Sequence, residues 1–157
     1  MELYLIRHAE AEPAAGDDHD AERPLTRKGR KRFKAAVKGF KRLGVRFDHL
    51  YHSPLLRAVQ TAELITGRVD GVTVVSSGLN HAPDAALLAE ITGDRVAVVG
   101  HEPWMSQLLA WLVLDDPSRS EKFHLNSGGV AWLTGDLVPG GMILGGLYDP
   151  TLFRKLL

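Results

Sequence analysis

The sequence contains no cysteine, which excludes disulfides, thiolate metal sites and a cysteine nucleophile. Long apolar runs are also missing. None approaches the ~18 residues of a membrane span, and the first residues show no basic region followed by a long apolar core, so neither a membrane segment nor a secretory signal is expected. The cytoplasm is the expected location. Charge of one sign is not in excess, with 19 Lys+Arg against 19 Asp+Glu, so the overall balance exerts no pull toward nucleic acid or a membrane surface. No internal repeat, low-complexity tract or linker interrupts the chain. What is present, 45% hydrophobic and 24% charged residues in a chain of 157, is the make-up of an ordinary globular protein. A single domain over residues 1–157 is expected.

The most informative stretch is the first. Leu3-Tyr4-Leu5-Ile6 is a short continuous apolar run that ends in Arg7-His8-Ala9-Glu10. Such a run reads as a strand buried on both faces, with the charged residues beginning where it leaves the sheet. In open α/β sheets that edge is where ligands bind. An arginine there offers a planar fork of donors suited to phosphate, and the adjacent histidine can serve as base, nucleophile or metal ligand. Taken alone, the pair is better read as two side chains solvated at a strand end, until other residues converge there.

Residues Ala11 to Pro24 are polar and read as a solvated loop; the acidic cluster around Asp17, Asp18 and Asp20 lacks the ligand spacing of a calcium site. Thr26 then suits an N-cap for a helix whose Phe33, Ala36, Val37 and Phe40 share one face, with Gly44 as its stop. The rest of that helix is crowded with lysine and arginine. Such a face can dock an acidic partner or nucleic acid, but zero net charge favours plain solvation. Phe47 to His52 predicts a second strand, and Ser53-Pro54 a cap and first-turn proline for a helix through Ile65, with Arg57 near its amino terminus. Val72 to Ser76 predicts a third strand, and Asp84 to about Ile91 a short helix. Arg95 to Gly100 predicts a second buried strand that runs through His101-Glu102-Pro103-Trp104 into a helix at Met105 to Val113. Asp115 to Asn126 reads as a loop, and the segments Gly128 to Thr134 and Gly141 to Tyr148 as a closing hairpin. Alternating strands and helices finished by a hairpin predict a three-layer α/β/α sandwich, its sheet mainly parallel with an antiparallel edge.

On this plan His8, Arg57 and His101 share one rim with Arg7. Two guanidinium groups can neutralise and orient a phosphoryl group, and their field lowers the pKa of a nearby histidine so that it stays neutral and nucleophilic near pH 7. The second histidine and the amides of its helix start can hold the equatorial oxygens in the transition state. A metallohydrolase built from His8, Glu10, His52, His81 or His101 is opposed by the flanking arginines, which repel a divalent cation.

These segments resemble the histidine phosphatase superfamily, and within it the small bacterial SixA-type phosphohistidine phosphatases. The resemblance spans essentially the full chain: Leu5-Ile6-Arg7-His8-Ala9-Glu10, Glu22-Arg23-Pro24-Leu25-Thr26, Ser53 to Ala62 around Arg57, and Val98-Val99-Gly100-His101-Glu102 occur in the family's order. It implies a phosphoglycerate mutase-like fold. It further implies that His8 is transiently phosphorylated, that Arg7, Arg57 and His101 form the phosphate pocket, and that the backbone N–H of Glu102 adds a donor. No metal or organic cofactor is implied, and phosphate or sulfate should bind in the pocket. Ala9 replaces the family's glycine. In the region of Leu79 to Pro83, where many relatives carry an acid that protonates the leaving group, this chain has Asn80 and His81; Glu10, Asp84 or His81 would be the substitutes. The expected substrate is phosphohistidine on a protein, a phosphorylated protein being better suited than an enclosed small molecule to the open pocket that the short connections imply. The alternatives are a broad-specificity small-molecule phosphomonoesterase and a non-catalytic phosphate-binding regulatory module. Retention of both histidines argues against the latter.

Overall fold

The computed structural model describes residues 1–14 and 16–156. Six strands form one sheet: β1 (Glu2–Arg7), β2 (His49–His52), β3 (Thr73–Val75), β4 (Arg95–Gly100), β5 (Val130–Gly135) and β6 (Met142–Tyr148), in the order β3-β2-β4-β1-β5-β6. The first four strands run parallel, while β5 lies antiparallel to β1 and β6 antiparallel to β5. This is the mainly parallel sheet with an antiparallel edge hairpin that the sequence predicts.

Period-two alternation in β1 separates the two sides of the sheet. Leu3 and Leu5 pack with Val96, Val98 and the helices α3 (Ala85–Glu90) and α4 (Trp104–Leu114), the latter through Met105, Leu108, Leu109 and Leu112. Tyr4 and Ile6 point the other way, into a core shared with α1 (Arg27–Arg42) through Phe33, Ala36 and Phe40, and with α2 (Leu56–Ile65) through Ala58, Ala62 and Ile65. The connection leaving β1 therefore goes to one face and the connection leaving its neighbour β4 to the other. A crevice between them at the carboxyl ends of the strands is the expected consequence.

Local signals explain most boundaries. Thr26 caps α1 through its side chain, which accepts from the Gly29 N–H, and Gly44, with φ 68, follows the last residues of the helix. Asp84 likewise accepts from the Leu87 N–H at the start of α3. Three segments differ from the sequence reading. The acidic loop contains a 3-10 turn over Asp17–Glu22, a second one covers Pro117–Lys122, and a further helix, α5 (Pro150–Leu156), packs against α1. Helix α2 also begins at Leu56, later than Ser53-Pro54 implies, and the Ser53 hydroxyl meets both His101 and the Leu55 N–H just ahead of the helix. Among the described residues no helix is long and apolar enough to cross a membrane.

Candidate active site

Three parallel strands deliver the site to one edge of the sheet. Arg7, the last residue of β1, stands opposite Gly100, the last of β4, and His52 at the end of β2 stands opposite Val99. The segments leaving these strands remain bonded across the edge: the His8 N–H donates to the Gly100 carbonyl at 3.0 Å, and the Ser53 N–H to the Val99 carbonyl at 3.0 Å. His8, Ser53 and His101 thus lie close together, all buried. The two imidazole centroids are 5.2 Å apart, with planes inclined by 51°.

The tautomer of His8 follows from its neighbour. Its Nδ1 is 2.7 Å from the carbonyl oxygen of Ala9; a carbonyl can only accept, so Nδ1 carries the proton and Nε2 the lone pair. Burial is the largest influence on the ring and pulls its pKa down to about 4; the bond to Ala9 opposes this, and the charges of Arg57, Arg7 and Arg23 reinforce it. His101 is pulled down to about 3, again chiefly by burial and then by Arg57 and His8. Its Nε2 lies 2.6 Å from Ser53 Oγ. The positive field expected from the sequence is present, yet desolvation is the larger cause of the neutral rings.

Both arginines are tethered with one face left over. Arg7 donates through Nη1 to the Leu125 carbonyl at 3.0 Å. Arg57 donates through Nη1 to the Asp20 carbonyl at 2.8 Å and through Nη2 to the Asp20 carboxylate at 3.2 Å. The Nε atoms of Arg7 and Arg57 and the Nδ1 of His101 are buried without a hydrogen-bond partner. A buried unsatisfied polar group costs roughly 1–3 kcal/mol; Arg32 Nε and Trp132 Nε1 share the condition, and what sets this place apart is that three such groups belong to Arg7, Arg57 and His101.

The structure places Arg7, His8, Arg57 and His101 near one another. Other candidates are placed elsewhere. The Glu102 carboxylate accepts from the Ser106 N–H in the first turn of α4. Asn80 is exposed at the end of a 3-10 turn over Ser77–Leu79 and shares no side-chain hydrogen bond with the four residues among those described. His81 is exposed and bonds the Ala82 carbonyl, Asp84 caps α3, and Glu10 is held by Thr26 and faces Arg32 at 3.6 Å. His52 is buried against the Ser53 carbonyl. Among the described residues no three His, Asp or Glu side chains gather as metal ligands.

Three participants escape a reading of the sequence by itself. Asp20, assigned there to a solvated loop, bridges Arg57 and Arg23. Ser53 holds His101. Thr61, fully buried, accepts from the Ala9 N–H at 3.0 Å and donates to the Arg57 carbonyl at 2.7 Å, so one hydroxyl links the His8 segment to α2. Arg23, Ser53 and Thr61 lie in segments that resemble the family, but what each of them holds in the site shows only in the fold.

The chain belongs to the histidine phosphatase superfamily: the description of branch 1 of that family matches residues 3–81. Members of the superfamily are phosphatases. An uncharacterized protein of Picosynechococcus is 39% identical over 113 residues, covering 66% of this chain and 67% of that protein. Among solved structures, the protein histidine phosphatase SixA complexed with tungstate matches with a TM-score of 0.79 at 25% identity, over 97% of this chain and 99% of that one. A phosphoserine phosphatase of Entamoeba histolytica in complex with 3-phosphoglyceric acid shares the fold, with a TM-score of 0.70 at 19% identity over 94% and 96% of the two chains. The phosphoglycerate mutase-like α/β fold expected from the sequence is the fold observed.

Proposed function

We propose that this protein hydrolyses phosphohistidine on a protein through a covalent phosphohistidine on its own His8, without a metal. The observation that carries the reading is the His8 ring, neutral by burial and locked by Ala9 so that Nε2 presents its lone pair. In the first step this lone pair forms a bond to phosphorus as the bond to the leaving group breaks, and the leaving group departs with the electron pair. Arg7 and Arg57 set their guanidinium charges against the equatorial oxygens, joined by His101 and the Glu102 N–H, and this cationic cradle takes the part a metal would play. In the second step water attacks phosphorus, the bond to Nε2 breaks, and phosphate leaves.

Choice of substrate follows from protons. An alkoxide leaving from a serine or sugar ester needs a positioned acid, typically contributing about 10² to 10⁴ in rate. Of the carboxylates near the site, Glu10 and Asp84 are engaged in structural bonds, and Asp20 is held below the usual carboxylate range, chiefly by its bond to Arg23. Asn80, which we place at the substrate rim, carries no acidic proton. An imidazole leaving from phosphohistidine is protonated beforehand at its far nitrogen near neutral pH and departs as a neutral molecule. The deciding experiment compares kcat/KM on matched phosphohistidine and phosphoserine peptides and on an aryl phosphate, with rapid-quench mass spectrometry of His8. Phosphohistidine and aryl phosphate should be far better substrates than phosphoserine, the added phosphoryl group should appear on His8, and His8→Ala should abolish turnover. Comparable rates on phosphoserine would instead favour a general phosphomonoesterase, and Asn80→Glu should raise alkyl ester turnover selectively.

A further inference from the structure

We infer that the exposed face of α1 is the docking surface for an acidic protein that presents its phosphoryl group to His8. This rests on the proposal that the substrate is a phosphorylated protein. Arg27, Lys31, Lys34, Lys38 and Arg42 are all exposed, and at 3.6 residues per turn they fall within an arc of about 80°. They form one straight stripe about 22 Å long, at 1.5 Å of rise per residue. Each successive pair is three or four residues apart, the spacing at which like charges destabilise a helix. At its start Arg27 opposes the helix dipole with no acidic side chain in the first turn to offset it, while Arg42 at the other end complements the dipole. Among the described residues the one ion pair made by α1 is that of Arg32 with Glu10, off the stripe.

Among the described residues no ion pair offsets the charge of the stripe, although the protein as a whole is neutral with 19 residues of each sign. An acidic partner would offset it. The stripe is also in the right place: Arg27 follows Thr26, whose hydroxyl bonds Glu10, two residues beyond His8, and Arg23 just ahead of it is bonded to the Asp20 that holds Arg57. A partner lying along α1 therefore reaches the pocket rim at its end.

Protein fits this surface better than other polyanions. The two aromatics of α1, Phe33 and Phe40, are buried, so no base-stacking platform interrupts the lysines, and the apolar face of α1 is spent in the core rather than free to enter a lipid surface.

Two phosphohistidine peptides of one core sequence, flanked by glutamates or by glutamines, test the inference, with p-nitrophenyl phosphate as a control for the chemistry. The wild-type protein should favour the glutamate peptide in kcat/KM by about tenfold at low salt, and lose that preference at about 1 M salt, where screening shortens to about 3 Å. The triple variant Lys31→Gln, Lys34→Gln, Lys38→Gln should lose it at all salt concentrations, and Lys31→Glu, Lys34→Glu, Lys38→Glu should invert it; both should turn over p-nitrophenyl phosphate as wild type does. Glutamine and glutamate are good helix formers at these exposed positions. Equal use of both peptides by the wild type, or an unaltered preference in the variants, overturns the docking surface while leaving the substrate proposal standing. Turnover of p-nitrophenyl phosphate with neither peptide hydrolysed defeats the substrate proposal itself. Stronger inhibition of the glutamate reaction by a single-stranded oligonucleotide than by polyglutamate of equal charge would make the face a nucleic-acid surface and overturn the inference.

Discussion

Thr61 shows how little separates a built site from a loose one. Its hydroxyl satisfies the Ala9 N–H and the Arg57 carbonyl, both at a buried position. Thr61→Val keeps the shape and removes both bonds, so the His8 segment and α2 lose their common anchor. We expect a loss of about 1–3 kcal/mol in stability and a fall in kcat larger than any change in KM, with Thr61→Ser restoring most of both. Steady-state kinetics alongside urea denaturation separates the two effects; unchanged kcat in Thr61→Val would show that the anchor does not matter to the chemistry. Asp20 poses the opposite case, a carboxylate facing the pocket's own arginine. Removing it in Asp20→Ala raises the positive charge available to an anion, so competitive inhibition by inorganic phosphate should tighten several-fold; a weaker inhibition constant would mean that holding Arg57 in place outweighs the charge. The histidines and arginines are legible in the sequence because each adjoins a strand end or helix start. Thr61, Asp20 and Ser53 are not, because their partners lie 52, 37 and 48 residues away. Residue chemistry alone does not reveal such separations.

Among the elements, α1 and β1 are bound most closely at the point where the site begins. An added Cβ at Gly29 would come within 2.3 Å of the Glu10 carbonyl oxygen, a backbone atom with little freedom to move. The same carbonyl accepts from the Thr26 N–H at 2.9 Å. Gly29→Ala must therefore push the start of α1 away from the chain just after His8, against a helix otherwise favoured by alanine. We expect a net cost of about 1–3 kcal/mol, read as a lower denaturation midpoint, and a fall in activity because the displaced segment carries His8. Greater stability in the variant would show that the contact yields without strain. At this scale the sequence is a good guide where a cap or stop is local: Thr26, Asp84 and Gly44 mark real boundaries. It is incomplete at Ser53, whose hydroxyl accepts the Leu55 N–H ahead of a helix that starts at Leu56 and also makes a tertiary hydrogen bond to His101 that no local pattern announces. Helix α5 carries the same kind of signal, the Asp149 carboxylate accepting from the Thr151 N–H ahead of Pro150 at the first helical position, but it is too short for an apolar period to announce it.

Across the whole molecule, catalytic readiness and acid stability are coupled. Folding buries His8 and His101 as neutral rings, with pKa values near 4 and 3 in place of 6.5. Between these values and 6.5 the unfolded chain binds protons that the folded one refuses, so stability is full above about pH 6.5 and declines as pH falls through this window. Each ring removes on the order of 2 kcal/mol by pH 5. The carboxylates Glu2, Asp20, Asp70 and Asp149 are lowered as well, but there the charged form is the one that folding favours, so their contribution is full above their ordinary range, about pH 4, and is lost only as pH falls below it. A double variant, His8→Gln with His101→Gln, should therefore show a flatter dependence of unfolding free energy between pH 7 and 5 than the wild type, while both lose stability together below about pH 4. Urea denaturation across this range provides the measurement. Parallel curves for the two proteins would mean that the site histidines protonate in place, and the claim that burial keeps His8 a free nucleophile would fall with them. A further consequence concerns rate: because the His8 lone pair survives to about pH 4, the acidic limb of kcat/KM on an aryl phosphate should lie well below 6.5, provided the enzyme is assayed before it unfolds.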